Sequence, residues 1–157
     1  MEFELAGLLK KNNLKIATAE SCTGGLIAAE LVNVPGISGQ FEEGYITYSN
    51  GAKEKILGVS HETLKRYGAV SKETAEEMAY GARNEAGSDI SVISTGIAGP
   101  DGGTKEKPAG LVYLSCCCKE RVWTERHLFN GDRQEVRNAS VKAALALAVQ
   151  VIRQEYP

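Results

Sequence analysis

The chain has 157 residues, of which 43% are hydrophobic and 24% charged, and this length and composition are typical of one compact domain spanning residues 1–157. Its net charge of -2 and its interleaved acids and bases argue against a nucleic-acid partner, and no apolar run is long enough to span a membrane. The N-terminus places acids before its apolar residues and bases after them, the reverse of a secretory signal, and three of the four cysteines are consecutive at 116–118. We therefore expect a cytoplasmic protein that has free thiols and binds a small molecule.

Helices and strands are predicted to alternate through the first part of the chain. A hairpin and a long helix follow toward the C-terminus. Apolar and β-branched runs predict strands at residues 14–19, 41–48, 89–95, 110–117 and 122–129, with the hairpin turn at Lys119 and Glu120. Helices are predicted around Leu5, Leu8 and Leu9, at 24–32, after a cap at Asn50, from Ser71 to about Gly87, and from an Asp132–Glu135 capping box onward, with Val136, Ala139, Ala143, Leu147 and Val151 on one face. This order predicts an α/β layered fold with a mostly parallel sheet and one antiparallel hairpin.

The stretch TAESCTGG, residues 18–25, lies where a predicted strand passes into a helix. The free amides at the start of a helix favour an anion, and paired glycines let a ligand approach the backbone. A hydroxyl from Ser21 or Thr23 would then lie beside a phosphate, a carboxylate or the oxyanion of an acyl transfer. Two alternatives accompany this interpretation: Ser21 or Thr23 is only a helix cap, or Cys22 is the nucleophile.

Lys53 and Tyr48 are the candidate bases for a serine nucleophile, and they lie in the stretch GYITYSNGAKEKILG, residues 44–58. A serine needs a partner that takes its proton, and a lysine can do so when burial or a cationic neighbour lowers its pKa. The two histidines, His61 and His127, lie in segments that favour a structural role. The alternative interpretation of Lys53 is an ordinary solvated lysine on a helix.

A long loop without regular pattern, GIAGPDGGTKEKPAG, covers residues 96–110. Such loops in compact domains are usually functional or mobile, and the glycines here allow a ligand close to the backbone. The loop matches no P-loop or dinucleotide fingerprint. Arg133, in the first turn of the final helix, is a candidate for holding phosphate in a fork geometry, or else a surface residue paired with Asp132 or Glu135.

Five stretches, taken together and in this order, resemble the CinA C-terminal domain family, the competence-damage-inducible domain: TAESCTGG, YITYSNGAKEKILGV, YGAVS, STGIAGPDGGTKEKPAGLVY and GDRQEVR. The resemblance runs from about residue 14 to residue 151. It implies a three-layer α/β/α sandwich with a mixed, mostly parallel sheet. Many relatives carry a further N-terminal domain. This chain starts directly at the domain that the motifs resemble, so we expect a stand-alone form of the amidohydrolase domain.

The resemblance also implies an activity. Members of the family look like nicotinamide-nucleotide amidohydrolases, which convert nicotinamide mononucleotide and water to nicotinic acid mononucleotide and ammonia in pyridine-nucleotide salvage. Such enzymes act without a metal or another cofactor, so we expect neither here. The alternatives are a pyridine-nucleotide-binding regulatory module without turnover and a hydrolase that uses the Cys22 thiol. A homodimer is a further expectation, built on the alanine-rich final helix and the strand at 122–129.

The resemblance assigns roles residue by residue. Ser21 is the implied nucleophile, and Lys53 and Tyr48 are the implied base and proton-relay partner. The implied amide donors come from Thr23, Gly24 and Gly25. The remaining residues predicted to bind substrate come from the motifs, with the glycine-rich loop and the arginine around the ribose phosphate: Glu20, Asn50, Gly96, Ala98, Gly99, Asp101, Gly102 and Arg133.

Overall fold

The computed structural model describes residues 1–157 and contains six α-helices and five β-strands. The helices are α1 (Glu2–Lys11), α2 (Leu26–Val32), α3 (Asn50–Leu57), α4 (His61–Tyr67), α5 (Lys72–Ala86) and α6 (Arg133–Glu155). The strands are β1 (Ile16–Glu20), β2 (Phe41–Ile46), β3 (Ile90–Gly96), β4 (Leu111–Cys118) and β5 (Arg121–Leu128). A short 3₁₀ helix, Ile37–Gly39, precedes β2. None of the helices combines the length and apolarity that crossing a membrane requires.

The five strands form one mixed sheet in the order β2-β1-β3-β4-β5. β2 and β3 both run parallel to β1, whereas β4 is antiparallel to both of its neighbours, β3 and β5. Four strands therefore point the same way and β4 alone points the other way, which confirms the mixed, mostly parallel sheet. The β4–β5 hairpin turns at Lys119 and Glu120, as the sequence predicts.

Helices cover both faces of the sheet, which confirms the three-layer α/β/α prediction. On one face, α1, α2 and α6 enclose the larger apolar core; on the other, α3, α4 and α5 enclose the smaller one. Strand alternation divides the consecutive cysteines, so Cys116 and Cys118 enter the larger core and Cys117 the smaller. All four thiols in the chain are free. The cysteine run is therefore ordinary core packing.

Helix α6 is buried on more sides than its sequence predicts. Val136, Leu147 and Val151 are buried as predicted, but Ala139 and Ala143 are only half-buried. The helix lies between the sheet and helices α1 and α2, so apolar side chains on two sides are covered. The alanines at the centre of α6, Ala144 and Ala148, are fully buried within the chain. That part of the expected self-association surface is therefore not exposed.

The starts of two helices, α2 and α3, differ from the predicted ones. α2 begins at Leu26 because residues 21–25 form a turn instead of helix. α3 is capped by Ser49, whose Oγ accepts a hydrogen bond from the Ala52 N–H at 3.0 Å, so the predicted cap at Asn50 is wrong by one residue. The capping box at Asp132 and Glu135 is confirmed.

Candidate active site

Ser21 lies where β1 ends, beside the end of β3, and borders a cavity of about 280 Å³. Ligand sites in open α/β sheets typically lie outside the carboxyl ends of parallel strands, as this one does. Fourteen residues line the cavity: Ser21, Cys22, Tyr48, Lys53, Ala69, Val70, Thr95, Gly96, Ile97, Ala98, Gly99, Asp101, Gly102 and Arg133. A larger groove of about 570 Å³ lies between α1, α2 and α6 but contains no candidate nucleophile beside a base.

Ser21 and Lys53 form a buried pair in this cavity. The Nζ atom of Lys53 lies 3.1 Å from Ser21 Oγ and donates to the backbone oxygens of Thr47 at 2.9 Å and Tyr48 at 3.5 Å. Lys53 is 1% exposed, and no carboxylate lies within ion-pair distance of it. Burial lowers the pKa of Lys53. A neutral amine would give its two N–H groups to the carbonyls and keep its lone pair for the Ser21 hydroxyl.

The turn after Ser21 uses one of the amides that the sequence assigned to an oxyanion. The Gly24 N–H donates to Ser21 O at 3.1 Å, so it is not free for a ligand, and neither Gly24 nor Gly25 lines the cavity. Glycine is favoured at both positions because the backbone takes positive φ there, +58° at Gly24 and +106° at Gly25. The N–H groups of Cys22, Thr23 and Gly25, in contrast, donate no hydrogen bond to the backbone of the chain. Of these residues only Cys22 lines the cavity, and Thr23 follows it directly in the chain, so their two amides are the candidate donors beside Ser21.

The side chains of Glu20 and Thr23 stabilise this turn by hydrogen bonds, and neither residue lines the cavity. The Glu20 carboxylate accepts hydrogen bonds from the Ile27 N–H at 2.8 Å, the Ala28 N–H at 3.1 Å and Thr23 Oγ1 at 2.6 Å. Thr23 Oγ1 also lies 2.7 Å from Ser94 Oγ on β3. The prediction that Glu20 binds substrate is thus corrected, because a carboxylate at a helix N-terminus satisfies its free amides. The Thr23 hydroxyl is likewise used by Glu20 and Ser94, whereas the Thr23 N–H, the predicted amide donor, stays unpaired.

Tyr48 reaches the site in a different way from the predicted proton relay. Its backbone oxygen contacts Lys53 Nζ, but its hydroxyl accepts a hydrogen bond from Arg133 Nη2 at 3.2 Å and has none with Ser21 or Lys53. The side chain is 63% exposed, at the mouth of the cavity. Lys53 therefore fits the role of base, and a relay through Tyr48 stays a prediction that requires its hydroxyl to leave Arg133.

Arg133 joins the final helix to the glycine-rich loop. Its Nη1 donates to Gly99 O at 2.9 Å, and no ion pair forms with Asp132 or Glu135, so the surface-pair alternative does not describe it. The predicted loop residues Gly96, Ala98, Gly99, Asp101 and Gly102 all line the cavity with it. Asn50, also predicted to bind substrate, does not line the cavity and is exposed at the start of α3.

The alternative nucleophile, Cys22, lines the same cavity but is 6% exposed. Burial raises the pKa of its thiol to about 11, so the reactive thiolate is disfavoured at neutral pH. Neither histidine reaches the cavity, since His61 contacts Glu54 and His127 contacts Glu125. Histidine, cysteine and acidic side chains nowhere gather in a group of three or more that could hold a metal ion.

Sequence reasoning missed several residues of the site. Thr95 lines the cavity at the end of β3, and its Oγ1 donates to Ala69 O at 2.8 Å. Its place at the carboxyl end of a predicted strand was a usable signal. Arg137 donates from α6 to the Cys22 and Thr23 carbonyls, at 3.0 and 3.2 Å. The signals for Arg137 were its place at the end of the GDRQEVR stretch and its position one helical turn after Arg133.

The model of the CinA C-terminal domain family matches residues 1–152. This chain belongs to that family. A putative competence-damage inducible protein of Clostridium novyi is 58% identical over 145 residues, which cover 92% of this chain and 35% of the relative. A CinA-like protein of Kosmotoga olearia is 52% identical over 92% of this chain and 35% of its own length. The chain thus spans about a third of the length of these curated relatives.

Solved structures of CinA-family proteins superimpose closely on the fold described above. A CinA superfamily protein from Klebsiella pneumoniae has a TM-score of 0.94 at 34% identity and covers 98% of this chain and 96% of its own. A competence/damage inducible protein from Agrobacterium tumefaciens has a TM-score of 0.89 at 41% identity, covering 96% and 95%. The family resemblance seen in the motifs is therefore confirmed in both sequence and fold.

Proposed function

We propose that this chain is a nicotinamide-nucleotide amidohydrolase that uses Ser21 as nucleophile and Lys53 as base. The observation that carries the proposal is the 3.1 Å contact between Ser21 Oγ and the Nζ of a buried lysine that has no acidic partner. A serine hydroxyl is a weak nucleophile until a neighbouring base takes its proton. A lysine whose charge is disfavoured by burial can supply that base.

In the proposed reaction, Ser21 Oγ forms a bond to the carboxamide carbon while its proton passes to Lys53 Nζ. The oxygen of the tetrahedral intermediate accepts hydrogen bonds from the free N–H groups of Cys22 and Thr23. Lys53 then returns the proton to the amide nitrogen, the C–N bond breaks, and ammonia leaves. Water gives a proton to Lys53 and attacks the acyl-enzyme ester, the bond to Ser21 Oγ breaks as Lys53 returns that proton to Oγ, and the carboxylic acid is released.

The cavity around this pair supports a nucleotide substrate. Arg133 uses two of its five N–H groups on Gly99 O and Tyr48 Oη, so three are available for a phosphate. A second cavity of about 330 Å³ adjoins the first and shares Ala98, Gly99 and Arg133 with it. A nicotinamide ring at Ser21 would therefore extend its ribose phosphate toward Arg133, with the loop amides around it.

Ammonia release from nicotinamide mononucleotide tests the proposal. We expect turnover by the wild type that is insensitive to a metal chelator, and a loss of at least about 10³-fold in Ser21→Ala. Cys22→Ala is the matched control, since its side chain lines the same cavity, and we expect its rate to stay within a few-fold of the wild type. The folding of each variant is checked by circular dichroism, and nucleotide binding by calorimetry.

The outcome that contradicts the proposal is equally specific. Turnover retained by Ser21→Ala but lost by Cys22→Ala would make the thiol the nucleophile. Binding of the mononucleotide without ammonia release by the wild type would instead show a regulatory binding module. Ser21→Ala that binds nucleotide as tightly as the wild type while failing to turn it over is the expected signature of an enzyme.

A further inference from the structure

Arg137, on the second turn of α6, donates hydrogen bonds to the turn that follows Ser21. Its Nε donates to Cys22 O at 3.0 Å and its Nη2 to Thr23 O at 3.2 Å, so one edge of the guanidinium spans two successive carbonyls. A Cβ atom at Gly24 would lie 3.4 Å from Nη2, an ordinary contact distance, so the positive φ of +58° and not this contact favours glycine there. The guanidinium is half-buried and has no carboxylate partner, since its remaining contact is Gln134 Oε1 at 3.4 Å.

Peptide planarity links these carbonyls to the amides beside the nucleophile. In a trans peptide the C=O and the N–H of the same unit point in opposite directions. Cys22 O shares its peptide with the Thr23 N–H, so Arg137 fixes the direction of that N–H by holding the carbonyl. Ser21 O shares its peptide with the Cys22 N–H and is held by the Gly24 N–H. The Cys22 and Thr23 amides are therefore each oriented by a carbonyl that is itself hydrogen-bonded.

We propose that Arg137 is a positioning residue that orients the Thr23 N–H toward the oxyanion formed at Ser21. This inference rests on the proposed serine mechanism and extends it to a side chain that does not line the cavity. Burial raises the pKa of Cys22 while the Arg137 charge acts in the opposite direction, so its field favours anions at this turn.

The experiment measures how fast Ser21 reacts with a fluorophosphonate, followed by intact-mass spectrometry. Ser21 Oγ forms a bond to phosphorus, fluoride leaves, the serine proton passes to Lys53, and the P=O oxygen becomes anionic on the way. The reagent therefore reports on the oxyanion donors without depending on the natural substrate. Arg137→Gln removes the charge and the fork, Arg137→Lys keeps the charge alone, and Arg153→Gln is the control, an α6 arginine paired with Glu4.

We expect the rate constant of labelling to fall about 10- to 100-fold in Arg137→Gln and by less in Arg137→Lys, because small misplacements of reacting groups have effects of this size. Arg153→Gln should match the wild type. A merely structural role would reduce the fraction of molecules that can be labelled and leave the rate constant of the rest unchanged. That result, or a wild-type rate constant in Arg137→Gln, would overturn the proposal.

The same measurement separates this inference from the proposed function. A wild type that is labelled at Ser21 but releases no ammonia from nicotinamide mononucleotide would overturn the proposed substrate and leave the role of Arg137 standing. A wild type that is not labelled at Ser21 would overturn the serine mechanism and the inference together.

Discussion

Lys53 is the residue whose titration should govern the rate. The base acts only when it is neutral, so turnover should rise with pH and level off above the pKa of Lys53, which burial holds below the ordinary value of 10.5. Lys53→Arg should lose about 10² to 10⁴-fold in turnover, because a guanidinium stays protonated. Ammonia release measured from pH 5 to 10 checks both expectations. The control is Lys55→Arg, an exposed lysine on the same helix, and wild-type turnover in Lys53→Arg would rule Lys53 out as the base.

How well each residue of the site could be predicted depends on how far away in the sequence its contacts lie. Ser21 and Lys53 could be predicted because their residue types carry the chemistry and their motifs resemble those of the family. Glu20 was misassigned because the sequence cannot distinguish a carboxylate that faces helix amides from one that faces a ligand. The role of Arg137 was missed although the residue ends the GDRQEVR stretch, because its partner, Cys22, lies 115 residues away and the motif does not reveal that contact.

The packing of α5 against the end of α3 depends on one helical glycine. A Cβ atom at Gly81 would lie 1.9 Å from Leu57 O, closer than any contact allows. Gly81→Ala should therefore lower the free energy of unfolding by about 1–3 kcal/mol, despite the higher helix propensity of alanine. Gly7→Ala is the control, because nothing lies within 4 Å of a Cβ at this glycine of α1, and it should raise the same quantity by about 0.5–1 kcal/mol. Urea unfolding measures both, and an increase in Gly81→Ala would show that the two helices can separate freely.

Burial of Lys53 should also reduce the stability of the whole molecule. Its pKa is lower in the folded chain than in the unfolded chain, so between those two values the unfolded state binds the extra proton and stability rises with pH. Lys53→Met removes this term and should unfold with a free energy about 0.5–2 kcal/mol higher than the wild type at pH 7. The difference should shrink as the pH approaches 10.5, the ordinary lysine value. Urea titrations at several pH values test this, and a difference that does not change with pH would contradict it.

At the scale of the fold, the sequence predicted the arrangement of the layers better than the ends of the helices and strands. The strands predicted from continuous apolar runs, such as β3 and β4, were placed to within one residue at each end. The start of α2 was predicted two residues early, because the glycines that look like a helix start take positive φ in a turn. The buried face of α6 was only partly predicted, because a helix packed between a sheet and two other helices has no single apolar stripe.

The contact between α6 and the turn after Ser21 has a consequence for the order in which the molecule is made. Synthesis delivers Ser21 early and the helix that carries Arg133 and Arg137 more than a hundred residues later. The sheet can begin to pair before that helix emerges from the ribosome. A nascent chain would then display Ser21 beside Lys53 but without Arg137, so on the proposed mechanism the serine would react more slowly until the last helix docks.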